Sequence, residues 1–321
     1  MSPTLRGSIA VNPILRWAGG KRRLLPTIRQ ALPTKFDLHT HHYFEPFFGA
    51  GAVGLDILAN YPQELASHFR INDINSDLIN LYRVLASPST RTKFIAEFDK
   101  MRSALEVLDE CGTHCRVAKR GDDSACPRNA YFKVVRSSAP TSNYQKAARF
   151  LFLNRTCFNG LYRVNAAGMF NVPFGHLKKV RFPDREELIT FGRMLNSMQI
   201  TNMDFVEATS SAGKGDFVYF DPPYIAATET ANFTSYDKSG FGLDEQKRLA
   251  DCIRDLMRRG CFVMLSNSDT EQTDEIFGSI KEFHLSTVSV HRSISAGAAS
   301  RQVVTERLGI SYRLPAGVLE S

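Results

Sequence analysis

The stretch Tyr43–Gly54, YFEPFFGAGAVG, decides the fold. An aromatic run suited to a strand enters a glycine turn and then an apolar segment of helical period, Ala52–Ala59. Gly49, Gly51 and Gly54 match the spacing G-x-G-x-x-G, in which glycines let the backbone approach a nucleoside-like ligand closely. Asp73 follows about twenty residues on, after the strand Phe69–Asn72, where a carboxylate can hold ribose hydroxyls. By itself the pattern would support a nicotinamide dehydrogenase, with a plain strand-to-helix turn as the alternative.

Outward from this unit, short apolar runs alternate with helical patterns. Further strands are expected at His42–Pro46, Gln199–Asn202, Phe217–Phe220, Cys261–Ser266, His284–Val290 and Arg307–Tyr312, with helices at Asp77–Leu85 and Asp244–Arg258. That order predicts an open, mainly parallel α/β sheet with helices on both faces and ligands beyond the carboxyl ends of the strands. From about Ser87 to Asp184 the alternation stops. Helical segments lead to a stretch punctuated by Gly, Asn and Pro, Asn159–Gly175, so residues 87–184 read as an inserted, mostly helical subdomain ending in a hairpin or loop. Gly121–Ser124 reads as a loop within it. Residues 1–86 and 185–321 then form the other domain.

A second motif, Val218–Tyr224 (VYFDPPY), narrows the chemistry. An apolar strand delivers a carboxylate, two prolines and an aromatic ring. The prolines lack N–H groups, which leaves nearby carbonyls free to face a ligand. Asp221 can accept a hydrogen bond, as can the carbonyl of Pro222, and Tyr224 offers a face for stacking. An exocyclic amine on a flat ring has two N–H bonds to donate, so the match is chemical. The plainer alternative is a strand ending in a proline turn, with Asp221 capping Ile225 onward.

Net charge is +7, and its placement is informative. Residues 1–36 hold seven Lys/Arg and no acid; residues 141–185 hold eight Lys/Arg against Asp184 alone; the remainder is net acidic. Two basic segments on an acidic chain point to a polyanion met by particular surfaces, rather than to scattered charge. Cys111, His114, Cys115 and Cys126 follow no ordinary zinc spacing, so no metal and reduced thiols are expected. No apolar run approaches the roughly 20 residues of a membrane span, and Met1–Val11 lacks a signal-peptide core. A soluble, cytoplasmic protein without membrane contact is expected.

These pieces resemble a known family over nearly the whole chain. In order they are Arg16–Lys21 (RWAGGK), Glu45–Gly51 (EPFFGAG), Asn72–Asp77 (NDINSD), Leu153–Arg163 (LNRTCFNGLYR) with Phe170–Gly175 (FNVPFG), Asp221–Tyr224 (DPPY), Ser266–Asp269 (SNSD) and Arg292–Ser295 (RSIS). The chain is similar to the Dam-type (α-group) DNA adenine-N6 methyltransferases. That resemblance implies a Rossmann-like methyltransferase sheet binding S-adenosylmethionine, with an inserted target-recognition subdomain, and double-stranded DNA as partner. It implies no obligate protein partner and a nucleoid-associated enzyme of a bacterium or phage-infected cell. Asp221, Pro222 and Tyr224 would act on an adenine flipped out of the duplex. Trp17, Lys21, Glu45, Phe47, Gly49, Gly51, Asp73, Asp204, Phe205 and Asp221 would line the cofactor, with Lys21 toward the methionine carboxylate. Plainer roles stay open: core for Trp17, surface charge for Lys21, a helix cap for Asp204.

DNA contacts are expected from the insert. Arg163 would read a guanine, although a surface ion pair is the alternative, and Phe158 would wedge beside the vacated base. Asn154, Arg155, Lys178 and Lys179 would meet phosphates, with Arg16, Asn159, Pro173 and Arg292 close to DNA. Asn232–Tyr236 is a candidate closing loop, and Arg301 a further phosphate brace. The resemblance implies a short target such as GATC, but Arg16 stands where the family usually carries lysine and Leu177 where tyrosine is common. Cytosine-N4, RNA adenine and a non-catalytic DNA-binding regulator remain alternatives; Asp221 speaks against a protein glutamine acceptor, which usually pairs with Asn there.

Overall fold

A computed structural model describes residues 13–17, 19–108, 126–224, 241–291, 303–315 and 317. The chain divides into two compact units. One comprises residues 21–48, 52–74 and 201–321, and the other residues 1–20, 49–51 and 75–200.

The first unit is built on a sheet. The strands of the sheet are β1 (Tyr43–Glu45), β2 (Phe69–Asn72), β3 (Gln199–Thr201, of which only Thr201 falls in this unit), β4 (Phe217–Phe220), β5 (Phe262–Ser268), β6 (His284–His291) and β7 (Val303–Ile310), in spatial order β3-β2-β1-β4-β5-β7-β6. β1 pairs in parallel with β2 and β4, and β4 with β5, whereas β7 runs antiparallel to β5 and β6. β1 and β4 are buried along their whole length, as strands covered on both faces must be, which is why they read as unbroken apolar runs. The chain reverses its direction of travel through the sheet at β1, so β2 and β4 flank it; in open α/β sheets ligands bind beyond the carboxyl ends of the strands at such a point.

All seven expected strands are present. The last begins at Val303, earlier than the expected Arg307, because it pairs with β6 along its full length. Helix α1 (Leu25–Gln30) and helix α2 (Ala52–Ala59) precede β2. The long helix Leu243–Arg258 buries Gln246, Leu249, Ala250, Ile253 and Leu256, a helical stripe packed on Val218, Phe220, Val263 and Leu265 of β4 and β5.

The second unit is helical. In chain order its helices are α3 (Ser76–Ala86), α4 (Pro88–Glu106), α5 (Pro127–Ser137), α6 (Asn143–Thr156) and α7 (Arg185–Leu195). Their ends are set locally: Asn75 caps α3, Ser142 caps α6, and Asp184 with Glu187 forms a capping box on α7. Between α6 and α7 the chain forms a short antiparallel excursion, bridged at Cys157–Phe174 and Val164–Phe170, and turned by Asn165, whose side chain accepts from the amides of Ala167 and Met169. The unit is wider than the expected insert of residues 87–184. α3 packs against α6 and α7, burying Leu78, Tyr82 and Leu85, so the residues flanking the insert join it. Among the described residues no helix is long and apolar enough to cross a membrane.

Candidate active site and nucleic-acid interface

In the sheet unit, β4 ends at Asp221-Pro-Pro-Tyr224, a segment held from below. Gln246, fully buried, donates from its amide to the carbonyl of Pro223 at 3.0 Å and accepts from Asn267 at 3.1 Å. Proline cannot donate to a ladder or helix, so these side chains fix the loop. Asp221 lies 2.8 Å from the Lys21 ammonium, which is itself 4% exposed. Lys21 is also 3.9 Å from Glu306 Oε2 and 4.4 Å from the centre of the Tyr224 ring. The Tyr224 hydroxyl donates to Glu306 at 2.7 Å. Burial pushes the Asp221 carboxyl up to about 6 against the opposing pull of Lys21, with Glu306 raising it further. Burial and the same two carboxylates also raise the Tyr224 hydroxyl.

Glu45, at the end of β1, is buried, and Tyr43 donates to its carboxyl at 2.8 Å. Burial holds it well above the usual carboxylate range; Asp221 and Asp73 add to the shift, while Tyr43 and the Gly54 backbone oppose it. Phe47 packs tilted against Phe205 and Phe220 and edge-on against Phe241. Asp73 follows β2, half-buried, its carbonyl accepting from Asn202 at 2.7 Å. The preceding Asn72 is a clip: its amide donates to Pro46 and Met203, both at 3.0 Å, and accepts from Met203 and Thr201. Asp204 caps the turn of helix Phe205–Ala208 and pairs with Arg248 at 3.0 Å, and Arg248 lies over the buried Phe205 ring. The capping role is therefore observed for Asp204.

In the helical unit, Arg16 and Trp17 are tightly held. Asn154 accepts from the Arg16 amide at 2.9 Å and donates to the Arg16 and Gly160 carbonyls at 2.7 and 3.0 Å. Gly160 has φ +66, and a Cβ there would sit 2.3 Å from Arg16 Cβ. Gly49 has φ +49, and its Cβ would sit 3.0 Å from the Trp17 ring; Tyr82 donates to the Gly49 carbonyl at 2.5 Å. Gly51 also has positive φ, at 74°. Trp17 stacks on Tyr162, whose hydroxyl donates to Asp77 at 2.6 Å.

Asn154 and Arg155 lie inside this unit rather than on its surface. Asn154 is 2% exposed with its amide committed to Arg16 and Gly160, and Arg155 is 6% exposed with its guanidinium on the Arg181 carbonyl. The expectation that they meet phosphates is corrected on that ground: both brace the backbone. Phe158 is half-exposed, its amide donating to Pro173 at 2.9 Å, next to Asn159 at φ 54. Arg163 is exposed and donates from Nε to Asn171 at 2.7 Å, so its partner is an amide rather than a carboxylate. Pro173, Lys178 and Lys179 are exposed. Arg292, Arg301, Asn232–Tyr236, Ile225, Gly121–Ser124, Cys111, His114 and Cys115 lie outside the described residues.

Three contributors escaped the sequence reading: Glu306, Gln246 and the Tyr162–Asp77 pair. Glu306 lay just before the expected strand Arg307–Tyr312, between Thr305 and Arg307, where no local pattern marked it.

The sheet order and the carboxylate loop at the end of β4 define a Rossmann-like methyltransferase. The family of D12 class N6 adenine-specific DNA methyltransferases matches residues 17–294. The chain is 36% identical over 315 residues to the Type II methyltransferase M1.LlaDCHI of Lactococcus lactis subsp. cremoris, covering 96% of this chain and 98% of that protein. It is also 36% identical to the Type II methyltransferase M.MjaIII of Methanocaldococcus jannaschii over 94% of this chain and 99% of that protein. With the DNA adenine methylase of Escherichia coli K12 the identity is 34%, covering 92% and 94%. The chain belongs to this family and is an adenine-specific DNA methyltransferase, in a class that generally uses S-adenosylmethionine.

Proposed function

We propose that the protein moves a methyl group from S-adenosylmethionine to the N6 amine of an adenine extruded from double-stranded DNA, within a short target for which GATC is the first sequence to test. The observation that carries this reading is the Asp221 carboxylate, held beside Tyr224 on a proline-stiffened loop at the end of β4. The residues fit the cofactor: glycines of positive φ leave no Cβ at Gly49 and Gly51, and Asp73 offers a carboxylate after β2. Trp17, Gly49, Gly51, Glu45, Phe47, Asp73, Asp204 and Phe205 would hold it, with Lys21 near its charged end. When bound, the cofactor supplies an electrophilic methyl carbon on a sulfonium sulfur.

The protein's own part concerns the amine. Adenine N6 is a poor nucleophile because its lone pair is delocalised into the ring. Asp221 accepts one N6–H and the Pro222 carbonyl the other, which draws the lone pair out of conjugation and aims it. Tyr224 replaces the stacking lost when the base leaves the duplex, a loss of a few kcal/mol. As N6 becomes cationic the Asp221 charge stabilises it more than in the ground state, so the effect is on rate. Asp221 then takes up the departing N6 proton. Arg163 would read a guanine and Phe158 would fill the gap, while Arg16, Asn159, Pro173, Lys178, Lys179 and Arg292 would lie along the DNA. Asp221→Ala should abolish tritium transfer from labelled cofactor to plasmid DNA while circular dichroism stays native. Near-normal turnover, or label recovered in a nucleoside other than N6-methyl-2′-deoxyadenosine, refutes the reading.

A further inference from the structure

Nothing in the reaction as described requires Glu306, yet the protein buries it. It is 8% exposed on β7, opposite Ser268 of β5 and Val288 of β6. A carboxylate in such a place is unfavourable unless it is partnered. Its partners are the Tyr224 hydroxyl at 2.7 Å and the Lys21 ammonium at 3.9 Å. Lys21 in turn sits 2.8 Å from Asp221, so two carboxylates share one ammonium.

We propose that Glu306 is a positioning residue for methyl transfer, pinning the Tyr224 ring through its hydroxyl and giving the Lys21–Asp221 pair a net negative charge. The inference rests on the proposed function. Without Glu306, Lys21 would cancel Asp221, and an amine turning cationic would meet a neutral pair. With it, the ammonium keeps a second counter-charge while Asp221 engages N6–H. The hydroxyl bond also removes rotational freedom from the ring that receives the base, ordering it before the base arrives. The other titratable groups close to Asp221 include Tyr219, bonded to Ser266, and Glu45, bonded to Tyr43.

Glu306→Gln keeps an acceptor for Tyr224 and removes only the charge. In single-turnover transfer it should lower the rate at neutral pH about tenfold or more. The acid limb of its pH–rate profile should move to lower pH by about one unit, since Asp221 loses a neighbouring like charge. A role confined to folding would move the melting temperature and leave the limb in place. A wild-type rate with a wild-type limb overturns the proposal. Should Glu306→Gln not fold, Tyr224→Phe carries the test: it keeps both charges, and the fluorescence of 2-aminopurine at the target base should fall. Fluorescence equal to wild type overturns it. If the unmodified protein methylates no DNA adenine, the proposed function fails instead, so the two failures are distinct.

Discussion

Replacing Lys21 with methionine should change when the enzyme works more than whether it works. The substitution keeps the length of a side chain that is 4% exposed and removes an ammonium 2.8 Å from Asp221. Asp221 must be ionised to accept N6–H, so activity is present above its pKa and lost as pH falls through it. With Lys21 in place that pKa is pushed up to about 6 by burial. An opposite charge this close lowers a carboxylate by roughly 1–3 units, so its loss moves the acid limb upward, towards or past neutral pH. Glu306, freed of the same ammonium, pushes in the same direction. A rise of about two units would give a roughly tenfold loss of rate at neutral pH that alkaline buffer restores. The assay is single-turnover transfer of labelled methyl at saturating cofactor and oligonucleotide, across the pH range. Saturation separates this effect from weaker cofactor binding. An acid limb still at the wild-type position, or a rate that does not recover in alkali, refutes the claim that Lys21 sets the proton affinity of Asp221.

Gly54→Ala places a Cβ 2.4 Å from Glu45 Oε2, 3.1 Å from Phe48 and 3.2 Å from Tyr43. Overpacking of about 1–3 kcal/mol should exceed the roughly 1 kcal/mol gained in helix propensity, and a lower urea midpoint would show it. Trp17 is the protein's one tryptophan, so binding of S-adenosylhomocysteine should change the intrinsic emission; unchanged emission at saturation, shown by calorimetry, would remove Trp17 from the cofactor site. Arg163→Ala should relax discrimination at one base pair by about 1–3 kcal/mol on singly substituted oligonucleotides, and a uniform loss across sequences would assign Arg163 to phosphate instead.

The central strands β1 and β4 were legible because strands buried on both faces must be apolar throughout, and α2 because its period is helical. Side-chain partners separated by long stretches of chain were not. Tyr224 and Glu306 are 82 residues apart, and no local pattern connects a tyrosine after two prolines to an acid in the last strand. Asn154 misled for a related reason. A polar residue in a basic segment resembles a phosphate ligand, whereas its burial against Arg16 depends on a backbone 138 residues away. The grouping of α3 and α7 with the insert was hidden in the same way: helical period shows that one face is buried, not which neighbour buries it.

The glycine motif explains why its literal match left the cofactor undecided. Gly54 is required by Glu45, which occupies the space where a Cβ would stand, and Gly49 by Trp17, whose ring lies within 3.0 Å of that point. Two of the three glycines thus answer to neighbouring side chains of the protein itself. A nicotinamide enzyme with different neighbours could keep the same spacing for unrelated reasons. Gly160, also of positive φ, lets the segment after α6 close on Arg16, the residue before Trp17. The strap Arg16–Trp17 therefore leans on two glycines distant in sequence: a Cβ at Gly160 must displace it, and one at Gly49 would crowd the Trp17 ring at 3.0 Å. It is this pairing of Gly49 with a tryptophan, and of Gly160 with the residue before it, rather than the G-x-G-x-x-G spacing, that separates this loop from a dinucleotide fingerprint.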